Sequence, residues 1–219
     1  MEPSRADAIP NPAVRRLSLY LRQLEAFRQH GRITISSRQL GQSVGSTDAQ
    51  VRKDLAYFGQ FGHPGIGYRV EELIAQVRRI LGTDRTWNVL VAGAGNLGRA
   101  LLAYRGFERK GFRLVAVFDS DPAKVGRKQG ALTVQPMGEL VATVRRDAID
   151  LALLTVPASA AQEVTDCLVM AGIRGILNFA PVSIVAPRTV AVASLDVAVQ
   201  LEQLSFQMNF ARATRTAGA

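Results

Sequence analysis

Gly93-Ala94-Gly95-Asn96-Leu97-Gly98 is the stretch whose residue types and spacing most directly imply chemistry. The apolar run 89–92 leads into it, and Leu101, Leu102 and Phe107 follow at helical spacing, so it reads as strand, tight turn and helix. Gly93 permits the turn, Gly95 lets the backbone approach a pyrophosphate, and Gly98 allows the helix to pack close to the strand. Unpaired N–H groups at the helix start, at the positive end of its dipole, suit phosphate. A second apolar strand, 114–118, ends in Asp119, 21 residues past Gly98, where a carboxylate is placed to hold a ribose diol. Three glycines alone are a weak signal, but followed by that acid they point to a dinucleotide. The acid favours NAD(H), because a 2′-phosphate would meet like charge unless Arg127 or Lys128 folded back to it.

The same residues argue against turnover. Hydride transfer to a carbonyl needs a proton donor or acceptor within hydrogen-bond reach of the substrate. The two histidines, His30 and His63, precede the motif, and the later candidates are Tyr104, Lys110, Lys124, Lys128 and Cys167, with no Tyr-x-x-x-Lys pair. The nucleotide therefore reads as a signal rather than a reagent, and no enzyme activity is expected. A single cysteine leaves no disulfide framework and no cysteine metal cluster, so no metal site is expected either. A different class stays open on these residues: a Rossmann-fold oxidoreductase or CoA-binding protein carrying a basic helical appendage.

That appendage is the N-terminal part. The chain of 219 residues has a formal net charge of +9, and residues 15–58 carry eight Lys and Arg against three acids, which favours a polyanion partner. Residues 1–11 lack periodicity and are expected to be disordered. Asn11-Pro12 opens a first helix with Val14, Leu17, Leu21 and Leu24 as its apolar stripe. Ser36 to Gln39 and Thr47 to Gln50 have capping-box spacing and open two further helices, the last turning Val51, Leu55 and Phe58 inward. Two short helices joined by a turn containing glycine give helix-turn-helix spacing. Asp48, Gln50, Arg52 and Lys53 then lie outward on the third helix, with types suited to base edges and phosphates. The glycine-rich segment 59–68 fits a two-stranded hairpin wing, and a helix over 70–81 follows.

After the glycine motif, helical and apolar extended segments alternate, which implies a parallel sheet with helices on both faces. The segments after its strands, Thr155-Val156-Pro157 and Asn178-Phe179-Ala180-Pro181, fall at the carboxyl edge where such sheets bind ligands. A final helix from about Asp196 to Phe210 has Val197, Leu201, Leu204, Phe206, Met208 and Phe210 around much of its circumference, so it needs burial against a partner subunit. The divisions expected are 12–82 for a winged-helix domain, 83–193 for a Rossmann domain, 194–211 for the terminal helix and 212–219 for a disordered tail. No signal-peptide pattern or membrane-length apolar run is present, so a cytoplasmic protein is expected.

Taken in order, the 51–59 segment Val-Arg-Lys-Asp-Leu-Ala-Tyr-Phe-Gly, the wing ending Gly65-Ile66-Gly67-Tyr68, the 93–98 glycine motif, the 154–157 segment and the 175–181 segment closely resemble the Rex family of redox-sensing transcriptional repressors. The likeness runs over roughly residues 13–208. It implies a homodimer with an N-terminal winged helix, a Rossmann domain binding NAD(H) and a domain-swapped C-terminal helix, which binds palindromic double-stranded operator DNA and releases it when NADH rises. By this resemblance Ser46, Thr47, Asp48, Gln50, Arg52, Lys53, Tyr57 and His63 face DNA. Arg22, Tyr104 and Asp196 match residues that relay the cofactor state, Tyr104 also lying at the cofactor. The sequence departs from the family pattern at Val197, where an aromatic is common, and at His63-Pro64, where the wing commonly carries a basic residue.

Overall fold

The computed structural model describes residues 9–62 and 65–216, with side chains as far as Asn209. Two compact units divide the chain, Met1–Arg85 and Thr86–Ala219.

The first unit begins with α1 (Asn11–Gln29), which buries Ala13, Leu17, Tyr20, Leu21 and Leu24. Pro10 rather than Asn11 takes the capping position, without a side-chain hydrogen bond. Pro12 has the fixed φ that a first turn requires and no N–H to leave unpaired, so the helix reaches into the segment expected to be disordered. Residues 1–8 of that segment lie outside the described residues. Strand β1 (Thr34–Ile35) precedes α2 (Ser37–Ser43), whose Ser36–Gln39 capping box is complete. Helix α3 (Asp48–Ala56) is capped by Thr47 alone, because the Gln50 side chain that would complete a box turns elsewhere. Strand β2 (Tyr68–Arg69) and α4 (Val70–Ile80) close the unit over a core that includes Leu24, Leu40, Val51, Leu55 and Val77.

The wing differs from the expected hairpin. Tyr68–Arg69 pairs antiparallel with Thr34–Ile35, ahead of α2, and among the described residues of 59–67 there is no strand for it to pair with. Gly59, Gly62, Gly65 and Gly67 all hold positive φ, which breaks the extended run a second strand would need. His63 and Pro64 lie outside the described residues.

The second unit runs β3 (Trp87–Ala92), α5 (Asn96–Ala103), α6 (Gly106–Arg109), β4 (Phe112–Asp119), β5 (Lys128–Gln129), β6 (Leu132–Pro136), α7 (Leu140–Arg146), β7 (Leu151–Leu154), α8 (Ala161–Ala171), β8 (Gly175–Asn178), β9 (Ala191–Ser194) and α9 (Val197–Thr216). The sheet order is β5-β6-β4-β3-β7-β8-β9, with only β5 antiparallel to its neighbour. Starting at β3 the chain steps outward to β4 and β6, then crosses back to β7, β8 and β9. This is a Rossmann-like doubly wound sheet with its switch point between β3 and β7. Strands β5 and β6 were not expected from the sequence.

One face packs Leu90, Phe118 and Leu154 against Leu140, Val144 and Leu168 of α7 and α8. The other packs Val89, Val91 and Val117 under Leu101, Leu102 and Phe107. Helices were expected over both faces, but this second face stays open beyond β3. An apolar groove of 530 Å³ remains there, lined by residues such as Leu151, Leu177 and Val192. Helix α9 extends past the expected end at 211, since Ala211 and Ala213 favour helix and Gly218 is the first breaker. Its Val197, Leu201, Leu204, Phe206 and Met208 are each at least half exposed. Phe210 lies where side chains are not described, and residues 217–219 lie outside the described residues. Among the described residues no helix is long and apolar enough to cross a membrane, and no cluster of metal-ligating side chains occurs.

Candidate nucleotide site and nucleic-acid-facing helix

Parallel pairing of Ala92 with both Phe118 and Leu154 sets Asp119 on one side of Gly93 and Thr155 on the other. Gly93 has φ +106°, and a Cβ there would press on the Thr155 backbone and hydroxyl at under 3 Å. A Cβ at Gly98 would overlap the Gly93 carbonyl. Both glycines are therefore required by packing. Gly95 is different: its φ is negative and a Cβ would meet nothing within 4 Å, so its surroundings are open. Gly95 is also the N-cap of α5, with no side-chain cap. Amides at this end are thus available to an anion. Asn96 and Leu97 stand exposed at the same end.

Asp119 is 8% exposed and loaded with donors. Its Oδ2 accepts from the Ala94 N–H (2.7 Å) and Lys124 Nζ (3.1 Å), and its Oδ1 from the Asp121 N–H (2.8 Å). Burial pushes this carboxyl up, yet the Asp121 and Ala94 amides and Lys124 outweigh it and hold the carboxyl below its ordinary range. Lys124, and neither Arg127 nor Lys128, is the cation beside the acid. Gln129 donates through Nε2 to the Ala94 carbonyl (3.2 Å), while its Oε1 is buried without a partner. An open glycine, uncapped helix amides, a ribose-type acid and an orphaned buried acceptor fit a dinucleotide. Lys124, which the sequence offers only as a proton-transfer candidate, and Gln129, which it does not mark at all, reach the site from a loop and a two-residue strand without periodicity.

The carboxyl-edge segments follow β7 and β8, whose ends Leu154 and Asn178 pair with each other. Thr155 Oγ1 lies 3.0 Å from the Ala92 carbonyl and 2.8 Å from that of Gly93, so its hydroxyl holds the turn. Asn178, fully buried, donates to the Val182 carbonyl and accepts from the Ala180 N–H, which shapes the loop after β8. Val156 and Phe179 are half-buried and Ala180 is buried, while Pro157 and Pro181 are exposed at the rim.

Tyr104 is not brought to this turn. It ends α5, about 13 Å along the helix from Gly95, and lines the apolar groove with Phe107, their rings edge-to-face at 5.1 Å. A Cβ at Gly106 would overlap the Tyr104 ring, so glycine at 106 lets the ring lie where it does. Asp196 caps α9: its Oδ1 accepts from the Ala198 (2.9 Å) and Val199 (3.3 Å) amides, and its Oδ2 has no partner among the described residues. Arg22 is exposed on α1.

In the first unit, α3 presents Arg52, Lys53 and Tyr57 to solvent, with Asp48 half-buried. Arg52 reaches back to Asp48 (2.8 Å) and to Ser37 of α2 (3.0 Å), and this guanidinium holds the Asp48 carboxyl low. Gln50 is half-buried. Its amide donates to Oδ1 of the buried Asp54 (2.7 Å). Arg16 clamps that carboxylate in two-pronged fashion (2.6 and 2.7 Å), and the Tyr20 hydroxyl adds a fourth bond (2.8 Å). Burial raises the Asp54 carboxyl, but these donors more than reverse it. Burial, followed by the bond to Asp54, lifts the Tyr20 phenol to about 12, while Ser46 beside it pulls the other way. Asp54 thus bolts α3 to α1. The i, i+4 pair Arg16 and Tyr20 was the available signal.

Comparison with known proteins agrees with both halves. Residues 84–182 match the family model for a CoA binding domain, and residues 8–56 that for a putative DNA-binding protein N-terminus. The redox-sensing transcriptional repressor Rex of Carboxydothermus hydrogenoformans is 49% identical over 200 residues, covering 91% of this chain and 96% of that protein. Rex of Chloroflexus aurantiacus is 43% identical over 204 residues, 93% and 96% of the two chains. Among solved structures, RSP in complex with β-NAD+ and operator DNA superposes with a TM-score of 0.89 at 36% identity, covering 95% of this chain and 96% of RSP. RSP with β-NADH gives 0.85 at 35% identity, covering 95% and 98%. With whole-length identity of this order and both halves matched, the chain belongs to the Rex family of redox-sensing transcriptional repressors.

Proposed function

We propose that this protein is a dimeric repressor that binds palindromic operator DNA through α3 and releases it when NADH occupies the glycine turn. The observation that carries the reading is the nearly full-length likeness to RSP, solved with β-NAD+ and operator DNA and with β-NADH. The open Gly95, the uncapped α5 and Asp119 support the nucleotide part. The solvent-facing Arg52 and Lys53, on a helix held by Asp54, support the DNA part. Dimerisation through α9 is supported by its exposed apolar residues and by the open groove on the sheet, since neither covers itself within one protomer.

In the family's relay, Asp196 pairs with Arg22 across the subunit interface in the DNA-competent state and turns towards Tyr104 when NADH is bound. The free Oδ2 of Asp196 leaves it able to change partners while Oδ1 keeps the helix cap. The two nicotinamide forms differ by one positive charge, so each favours a different neighbour for a carboxylate. A bias of ~1–3 kcal/mol suffices for such coupling. Recognition helices of a dimer must sit near one duplex turn apart, ~34–36 Å, so a modest subunit rotation releases DNA.

The test is to recover a bound duplex from a random pool and follow its anisotropy with protein during an NADH titration. Release by NADH but not by equal NAD+ is expected. DNA that stays bound at saturating NADH overturns the reading.

A further inference from the structure

Lys124 occupies the part of Asp119 that a ribose needs, an inference that rests on the dinucleotide site proposed above. Each carboxylate oxygen offers two lone-pair sites. On Oδ2 both are taken, by the Ala94 N–H at 2.7 Å and Lys124 Nζ at 3.1 Å, and on Oδ1 one is taken by the Asp121 N–H at 2.8 Å. The two backbone donors belong to the glycine turn and to the loop after β4, so they cannot leave without distorting the site itself. Lys124 can leave. Its ammonium ends a flexible four-carbon stem, its side chain is 38% exposed, and Asp121 Oδ2 at 3.6 Å offers a second anchor. A diol bound in two-pronged fashion needs one open acceptor on each oxygen, and while Lys124 stays only Oδ1 has one.

We propose that Lys124 is a gate on Asp119. It occupies the ribose acceptor on Asp119 Oδ2 and moves to Asp121 when a diol enters. From there it stands beside the 2′ position. The gate therefore weakens NADH binding and, by offering a cation to a 2′-phosphate, narrows the preference for NAD(H) over NADP(H). Asp119 alone predicts strong rejection of NADPH; the pair Asp119–Lys124 predicts a milder one.

Calorimetric titration of the full-length protein with NADH and with NADPH tests this, comparing wild type with Lys124→Met and Lys124→Arg. Methionine keeps the stem and removes the charge, at a half-exposed position where the fold depends little on it. Removing a partly exposed ion pair that competes with ligand should tighten NADH about threefold or more. Losing the cation at the 2′ position should weaken NADPH about tenfold. Arginine should stay close to wild type with both. NADH binding that is unchanged or weaker in Lys124→Met, or an NADPH/NADH ratio that does not widen, overturns the gate while leaving the site intact. A wild-type protein that binds neither nucleotide overturns the site, and the gate with it.

Discussion

Asp54 and Asp119 are both buried aspartates held below the ordinary carboxylate range by hydrogen bonds that outweigh burial. Their surroundings differ in kind. Asp54 is fully buried and closed, with four side-chain bonds from Arg16, Tyr20 and Gln50. Asp119 is bonded by two backbone amides and one movable lysine, and keeps an acceptor site open. A closed carboxylate fixes the angle between two helices; one with a removable partner can take a ligand. Burial and a lowered pKa are common to both, so neither identifies a binding residue. The count of donors, and which of them can leave, does.

The largest expected effect comes from opening the closed site. Asp54→Asn leaves Arg16 without its counter-charge and the α1–α3 contact without its clamp, which should cost the first unit ~2–4 kcal/mol, the lower part of the range reflecting the partial exposure of Arg16. Chemical unfolding monitored on both units should show the loss in the first, together with loss of DNA binding, while NADH affinity stays within about twofold. The sign with pH follows from the lowered carboxyl. Asp54 contributes fully above the unfolded value, near ~3.9, and the contribution fades as pH falls through the lower folded value. The stability difference between wild type and Asp54→Asn should therefore be constant at neutral pH and shrink in acid. A difference that grows below pH ~4 would contradict the clamp.

A smaller effect separates the two oxygens of Asp196, a third aspartate between these extremes. Asp196→Ala removes both the cap and the charge, and the cap alone is worth ~1 kcal/mol. Asp196→Asn keeps the cap. If the charge carries the relay, both variants should lose the NADH response, while only the alanine variant should lose α9 helicity and shift towards monomer in sedimentation. An asparagine variant that responds to NADH like wild type removes Asp196 from the relay.

How far the sequence disclosed these sites follows from how local each one is. The glycine turn was legible because a strand, a positive-φ glycine and a helix start must follow one another within a few residues. Asp119 was legible because the length of one strand-helix-strand unit sets its spacing. Asp54 was not, since Arg16 and Tyr20 lie 38 and 34 residues away and only packing of α1 on α3 joins them. That same carboxylate accepts from the half-buried Gln50 amide, a bond that a helical wheel does not show. Among the described residues of 59–67 no second strand forms beside Tyr68–Arg69, since Gly59, Gly62, Gly65 and Gly67 hold positive φ. The pairing of Lys124 with Asp119 is not legible because the loop after β4 has no period to read, and Arg127 and Lys128 follow in the same stretch of sequence.

The most direct test of the contrast between the two acids is DNA release by Asp119→Asn. Its anisotropy with bound duplex should match wild type without nucleotide, since α3 and its Asp54 clamp are untouched. Asparagine donates through its amide and loses the charge, so NADH binding should weaken by about tenfold or more and the release curve should move to correspondingly higher NADH. Asp119→Asn protein that releases DNA at the wild-type NADH concentration would contradict the account.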